Sequence, residues 1–196
     1  PHTDRYRNKA QLPIGKTRDG QPMLGFYANR SHRIVQCDDC ALQPKEFQTA
    51  VHAFSQWMTT SGETVYEETT HQGVLRHLYI REGSSTGERM VCIVANSDRL
   101  KQEDRLVECL KNSVPGLKSI VLNVNREKTN VILGKQFRTL WGADTITDTL
   151  CGLSFQIAPA SFYQVNREQA ERLYQIAGSY AALTGEEVLL DLYCGT

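Results

Sequence analysis

The chain has 196 residues, 22 Lys and Arg against 22 Asp and Glu, and 40% hydrophobic residues, so its formal net charge is zero. This is the composition of an ordinary globular protein, one domain or one domain and part of another, and it can bury a core. No apolar run reaches the roughly 18 residues of a membrane-crossing helix, and the polar, basic opening "PHTDRYRNKA" lacks the apolar stretch of a secretion signal.

Residues 1–33 carry seven basic side chains (Arg5, Arg7, Lys9, Lys16, Arg18, Arg30 and Arg33) against two acids, Asp4 and Asp19. That asymmetry suits a face for a polyanion, because each neutralised phosphate releases counterions; a solvated basic strand is the plainer alternative. "YRNKAQLPIG" (6–15) and "QPMLGFYA" (21–28) read as antiparallel strands around the Asp-Gly turn in "KTRDGQ". On the first, period-two alternation places Arg5, Arg7 and Lys9 on one face as a stripe.

Cys37 and Cys40 stand close together in "QCDDCALQP". Such a pair serves as half of a zinc site, as a redox pair or as part of an iron–sulfur site, and no second ligand pair accompanies it. Cys92, Cys109, Cys151 and Cys194 are scattered, which is no secreted disulfide framework. A reduced, cytoplasmic protein is expected.

Over 44–58, Phe47, Val51, Phe54 and Met58 recur at three- and four-residue steps after Pro44, the pattern of an amphipathic helix. "GVLRHLYIREG" and "ERMVCIVAN" form the next strand pair, and "QEDRLVECLKNS" reads as a helix ended by "VPG". "LKSIVLNVN", "TNVILGKQFRTLWG" and "TITDTLCGLSFQIAP" follow as further strands, Leu153, Phe155 and Ile157 alternating with polar or small residues in the last. Many short strands at hairpin spacing with two flanking helices predict an α+β domain built on an antiparallel sheet over 1–158.

The character changes at "SFYQVNREQAERLYQIAGSYAAL". Asn166 can cap a helix whose residues Ala170, Leu173, Tyr174 and Ala177 share one face. "TGEEVLLDLYCGT" then reads as a buried strand entering a glycine turn, the point at which α/β sheets bind ligands. Residues 159–196 are thus expected to begin a second, truncated Rossmann-like domain, the chain being a fragment at both ends.

A strand entering a glycine turn is common; its company is not. "SFYQVN" followed, one amphipathic helix later, by "DLYCGT" resembles the RNA uracil-5 methyltransferases, which make 5-methyluridine in ribosomal and transfer RNA with S-adenosylmethionine. "YRNKAQLPIG", "LGFYANRSHRIVQCDDC", "GVLRHLYIR" and "TNVILG" with "WGADTITDTLCGLSFQIAPASFYQVN" look like successive blocks of that family's central domain, so the resemblance covers nearly the whole chain. It implies that Gln164 and Tyr193 line the cofactor pocket, that Asp191 and Gly195 shape its turn, and that Tyr163 lies beside a flipped uracil. It also implies RNA contacts from Arg5, Arg7 and Lys9, with Arg76, His77 and Arg81 as further candidates.

The chemistry of C5 methylation needs a thiolate that adds to C6 and a base that removes the C5 proton. In the family both come late in the methyltransferase domain, beyond Thr196, so Cys194 is expected to be structural and this chain by itself inert. The family often holds a [4Fe-4S] cluster, and Cys40 matches its fourth cysteine ligand by distance from "SHRIV", whereas Cys37 matches none. The expected partner is RNA, 23S rRNA first, with no membrane and no protein partner implied. The rivals are a transfer-RNA enzyme, a non-catalytic RNA-binding module, and a dinucleotide-dependent α/β enzyme, against which "CGT" offers too few glycines.

Overall fold

Alternation along "KAQLPIGK" decides which way the first strand faces. In β1 (Lys9–Lys16), Ala10, Leu12 and Ile14 are buried while Lys9 and Gln11 stay partly open. The computed structural model describes residues 2–37 and 39–192. Gly20, at φ 79°, closes the turn to β2 (Pro22–Tyr27), which pairs with the short β3 (Ile34–Gln36). Then follow α1 (Glu46–Ser61), β4 (Leu75–Glu82), β5 (Arg89–Ala95), α2 (Glu103–Ser113), β6 (Leu117–Val124) and β7 (Gln136–Gly142). These strands form one sheet in the order β3-β2-β1-β4-β5-β6-β7.

The sheet is mixed where an antiparallel one was expected. β5 and β6 run parallel, because the segment between them is α2 and a helix crossover returns the chain in the same direction. The stretch read as one long strand over 129–142 supplies only β7; Ile132 and Leu133, in the loop before it, pack against the sheet. "TITDTLCGLSFQIAP" folds as a separate hairpin of β8 (Ile146–Leu150) and β9 (Leu153–Ile157). Its turn uses Cys151 and Gly152, both at positive φ (51° and 78°), as a tight two-residue hairpin requires.

One face of the sheet packs on α1 and α2 around Phe47, Phe54, Trp57, Leu106 and Leu110. The other face is covered unevenly. Tyr79, Cys92, Val94 and Val121 meet Ile132 and Leu133, and Met90 meets Ile146, Leu150, Ile157 and Tyr163.

α3 (Arg167–Ala181) starts where Asn166 accepts a hydrogen bond from the Gln169 backbone N–H (3.0 Å). Of the face expected to be buried, Ala170 is, whereas Leu173 and Tyr174 are exposed. Residues 186–192 form no strand, and Val188 is 97% exposed. A strand needs a partner ladder; here the Glu187 carboxylate accepts instead from the Thr184 and Gly185 backbone N–H groups, which makes a local turn.

β1 changes neighbours in mid-strand. Lys9 to Pro13 pair with β4, and Ile14 to Lys16 pair with β2. Pro13 has no N–H to give the ladder, and opposite it β4 carries a bulge between Leu75 and His77. The two strands part there.

Candidate functional site

The bend 161–166 joins β9 to α3 and is held by the sheet at three points. The Asn8 backbone N–H donates to Val165 O (3.1 Å) and its side-chain amide to Gln164 O (2.9 Å). Arg81 Nη1 donates to the carbonyls of Ala158 (2.8 Å), Pro159 (3.2 Å) and Ser161 (2.6 Å). Main-chain anchoring leaves the Gln164 side chain half-exposed and without a hydrogen bond among the described residues. An amide with a donor and an acceptor both unengaged, on a rigid turn, can read the polar end of a small ligand.

Tyr163 points the other way. Its ring is 8% exposed, and its hydroxyl donates to Asp148 Oδ2 (3.0 Å). Burial, then the charge of Asp148, pushes the phenol pKa upward. Asp148 is fully buried and also accepts from the Ser85 backbone N–H (2.8 Å) and Ser85 Oγ (2.6 Å), with Arg167 Nε 4.0 Å away. This network ties the β8–β9 hairpin and the β4–β5 turn to the bend. Sequence reading missed Asn8, Ser85 and Asp148, because a buried polar residue within a strand, beside one or in a turn looks like any solvated one.

The expected cationic stripe divides by environment. β1 begins only at Lys9, and Arg5 sits at φ 53°, off any strand, so the three side chains do not alternate. Arg5 holds Asp39 (Nη2–Oδ2 2.9 Å) and the carbonyls of Cys40 and Gln43. Arg76 is buried over the Tyr66 ring, 4.5 Å from its centroid, and donates to the carbonyls of Asn125, Glu127 and Thr129. Arg81 is buried on the bend's carbonyls. These three guanidinium groups organise backbone.

Arg7 and Lys9, by contrast, have no carboxylate partner among the described residues. Lys9 is opposite Arg81 in the ladder, and burial followed by Arg81 and Arg7 lowers its pKa. A crowded group of cations on either side of Asn8, which holds the bend, favours an anion.

Cys37 and Cys40 are half-buried beside Phe47 and Val51. Among the described residues no group of three His, Cys, Asp or Glu side chains is placed to hold a metal ion. A lone Cys40 thiolate does not fit a four-ligand cluster. Asp191 is exposed in the segment after α3. Tyr193, Cys194 and Gly195 lie outside the described residues, and with them the expected pairing of Gln164 and Tyr193 across one crevice. Among the described residues no helix is long and apolar enough to cross a membrane.

His77 stands between Arg76 and the ladder to Pro13, 8% exposed, its Nδ1 buried without a partner among the described residues. Burial first, then Arg76, pushes its pKa down to about 4 from 6.5, with Glu68 opposing. The folded chain therefore binds fewer protons than the unfolded chain between those values, and stability falls as pH drops through that window. Taking the pH from 6.5 to 5 is expected to cost about 1.5 kcal/mol through this residue. Urea unfolding of the wild type and His77→Gln at both pH values checks it; an equal loss in both proteins refutes it.

No protein-family model matches the chain. An uncharacterized RNA methyltransferase of Staphylococcus epidermidis is 43% identical over 191 residues, 97% of this chain and 42% of that protein. Similarly described proteins of Halalkalibacterium halodurans and Staphylococcus aureus are 43% and 41% identical over the same span. The crystal structure of Pyrococcus abyssi tRNA (uracil-54, C5)-methyltransferase in complex with S-adenosyl-L-homocysteine superimposes with a TM-score of 0.75 at 28% identity, over 91% of this chain and 41% of that one. The chain thus spans about two-fifths of the length of the relatives it matches. In sequence the chain is similar to proteins described as RNA methyltransferases, and in fold to a tRNA uracil-C5 methyltransferase.

Proposed function

We propose that the intact protein transfers a methyl group from S-adenosylmethionine to C5 of a uridine in RNA, with 23S rRNA as the substrate, in the cytoplasm. The observation that carries this reading is the bend at Gln164. Its backbone is pinned by Asn8 and Arg81, its side-chain amide is unengaged among the described residues, and Arg7 and Lys9 flank Asn8 in the chain. When bound, S-adenosylmethionine supplies the activated methyl group on its sulfonium. Gln164 would hold its amino-acid end, with Tyr193, Asp191 and Gly195 completing the pocket in a Rossmann-like domain that begins at 159. Tyr163, locked to Asp148, would fix the angle of the bend beside the uracil.

The thiolate that adds to C6 and the base that takes the C5 proton belong to the intact protein beyond this chain, which alone is inert. Cys40 would contribute to a [4Fe-4S] cluster only with three further thiolates from outside the chain. A transfer-RNA substrate is the second reading, favoured by the tRNA (uracil-54, C5)-methyltransferase whose structure this chain resembles.

The full-length protein is expected to release tritium from uracil labelled at C5 in 23S rRNA when S-adenosylmethionine is added. Release from transfer RNA alone would select the second reading. Absence of release from both would leave a non-catalytic RNA-binding module. Replacing Arg7 and Lys9 together by Ala is expected to weaken RNA binding and flatten the slope of log affinity against log salt by about 1.4, two phosphate contacts' worth. An unchanged slope would show that the pair is only solvated.

A further inference from the structure

We propose that the cavity opened where β1 and β4 part binds an unpaired, amino-bearing nucleobase of the RNA, at a place separate from the Gln164 bend; this rests on the RNA methyltransferase reading above. The cavity holds about 540 Å³, of the size that takes a small planar ligand. Two features of the sequence build it. Pro13 ends the ladder between β1 and β4, and the bulge between Leu75 and His77 brings two successive side chains, Arg76 and His77, to the same cavity.

The lining has the chemistry of base recognition. Tyr27 and Tyr66 supply aromatic surface, and the His32 ring is tilted against Tyr27 with centroids 5.5 Å apart. Single-stranded nucleic acid is held by such rings through stacking, which tolerates any base, and edge contacts then select. Glu68 provides the edge contact. One of its oxygens accepts from Tyr27 OH (3.3 Å) and the other meets His32 Nδ1 (2.8 Å), and each keeps acceptor capacity for an exocyclic amino group.

His77 lines the same cavity with its unpartnered Nδ1. A buried polar atom without a partner is uncommon in a folded chain and calls for an explanation, which the edge of a base in the cavity would supply. Lys16 and Arg33 also line the cavity, neither ion-paired among the described residues, and both are suited to the flanking phosphates. The exposed carboxylates Glu67 and Glu68 on its lining disfavour a free anion there.

The position fits one continuous strand of RNA. Asn8, which holds the bend just ahead of β1, and Gly15, which lines the cavity near the end of β1, are seven residues apart, roughly 23 Å at strand rise. Lys9 and Gln11 are half-open between them.

The test is titration of the isotope-labelled chain with three hexamers: hexaadenylate, hexauridylate and an abasic ribose-phosphate of equal charge. Amide shifts at Gly15, Tyr27, Glu68 and His77 are expected to saturate with hexaadenylate, more weakly with hexauridylate and not with the abasic strand. Tyr27→Ala, at a half-exposed position, is expected to weaken hexaadenylate about tenfold, while Tyr27→Phe, which keeps the ring, changes it less than about twofold. Equal shifts from the abasic strand would overturn base recognition, and equal shifts from hexauridylate would overturn the amino-group preference. Shifts at Arg7 and Lys9 with none at the cavity would overturn the cavity while sparing the RNA reading. No shifts anywhere, together with no tritium release by the full-length protein, would overturn both.

Discussion

Arg81→Met is expected to lower stability by about 3–5 kcal/mol and the Tm by roughly 10 °C, although methionine preserves much of the aliphatic stem. The reason is the site's geometry. Arg81 is 2% exposed, and its Nη1 serves three carbonyl oxygens of residues 158, 159 and 161. Loss of the charged donor leaves the partly or fully buried oxygens of Pro159 and Ser161 unmet and Ala158 O with only the Ser161 N–H, and such unmet groups cost more than the bond itself contributes. Because the same carbonyls lead into the bend, the amide resonances of Gln164 and Val165 are expected to broaden or shift while those of α1 stay. A variant as stable as the wild type would show that packing of the stem, and not the guanidinium, does the holding.

Asp148→Ala is expected to cost about 3 kcal/mol, and Tyr163→Phe about 1 kcal/mol. Asp148 accepts from Ser85 N–H and Ser85 Oγ at Oδ1 (2.8 and 2.6 Å) and from Tyr163 OH at Oδ2 (3.0 Å), so alanine strands three donors, whereas phenylalanine strands only Oδ2, with Arg167 Nε still 4.0 Å away, and leaves Oδ1 served by Ser85. The two changes share a bond, so the double variant is expected to be less destabilised than the sum by about 1 kcal/mol. Strict additivity in urea melts would mean that the Tyr163 hydroxyl contributes nothing through Asp148.

What could be read from the sequence and what could not differ by the range of the interactions involved. Helical spacing of Phe47, Val51, Phe54 and Met58 reports local burial, and α1 forms over that stretch. The Asn166 cap is likewise a local device, visible as a residue type at a fixed offset. By contrast, the parallel pairing of β5 with β6 depends on where α2 deposits the chain, which alternation along either strand does not encode. Residues 186–192 show the converse. Three apolar residues in a row, with Leu192 after Asp191, read as a buried strand, yet burial requires neighbouring strands, and among the described residues this segment pairs with none.

The candidate site follows the same rule. Gln164 stands out in the sequence only through its motif, and the bend carrying it is well anchored. The arginines were legible only as charge. Sequence cannot tell a guanidinium facing solvent from one, like Arg76, buried beneath loop carbonyls, because those carbonyls belong to residues about fifty positions away. Asn8 and Asp148 escaped notice because their partners are equally remote.

The change of partner within β1 divides the sheet into two units of unequal security. Five residues of β1 are bound to a strand that lies under α1 and α2, but only three tie it to β2, and β3 hangs on β2 alone. The outer hairpin can therefore detach at a free energy well below that of global unfolding, with its amides exchanging hydrogen with solvent while those of β4 and β5 stay protected. Tyr27, His32 and Ile34 travel with that hairpin, and Tyr66, Arg76 and His77 stay behind. One wall of the cavity is thus softer than the other, so whatever fills the gap stitches the loose edge of the sheet to its firm centre.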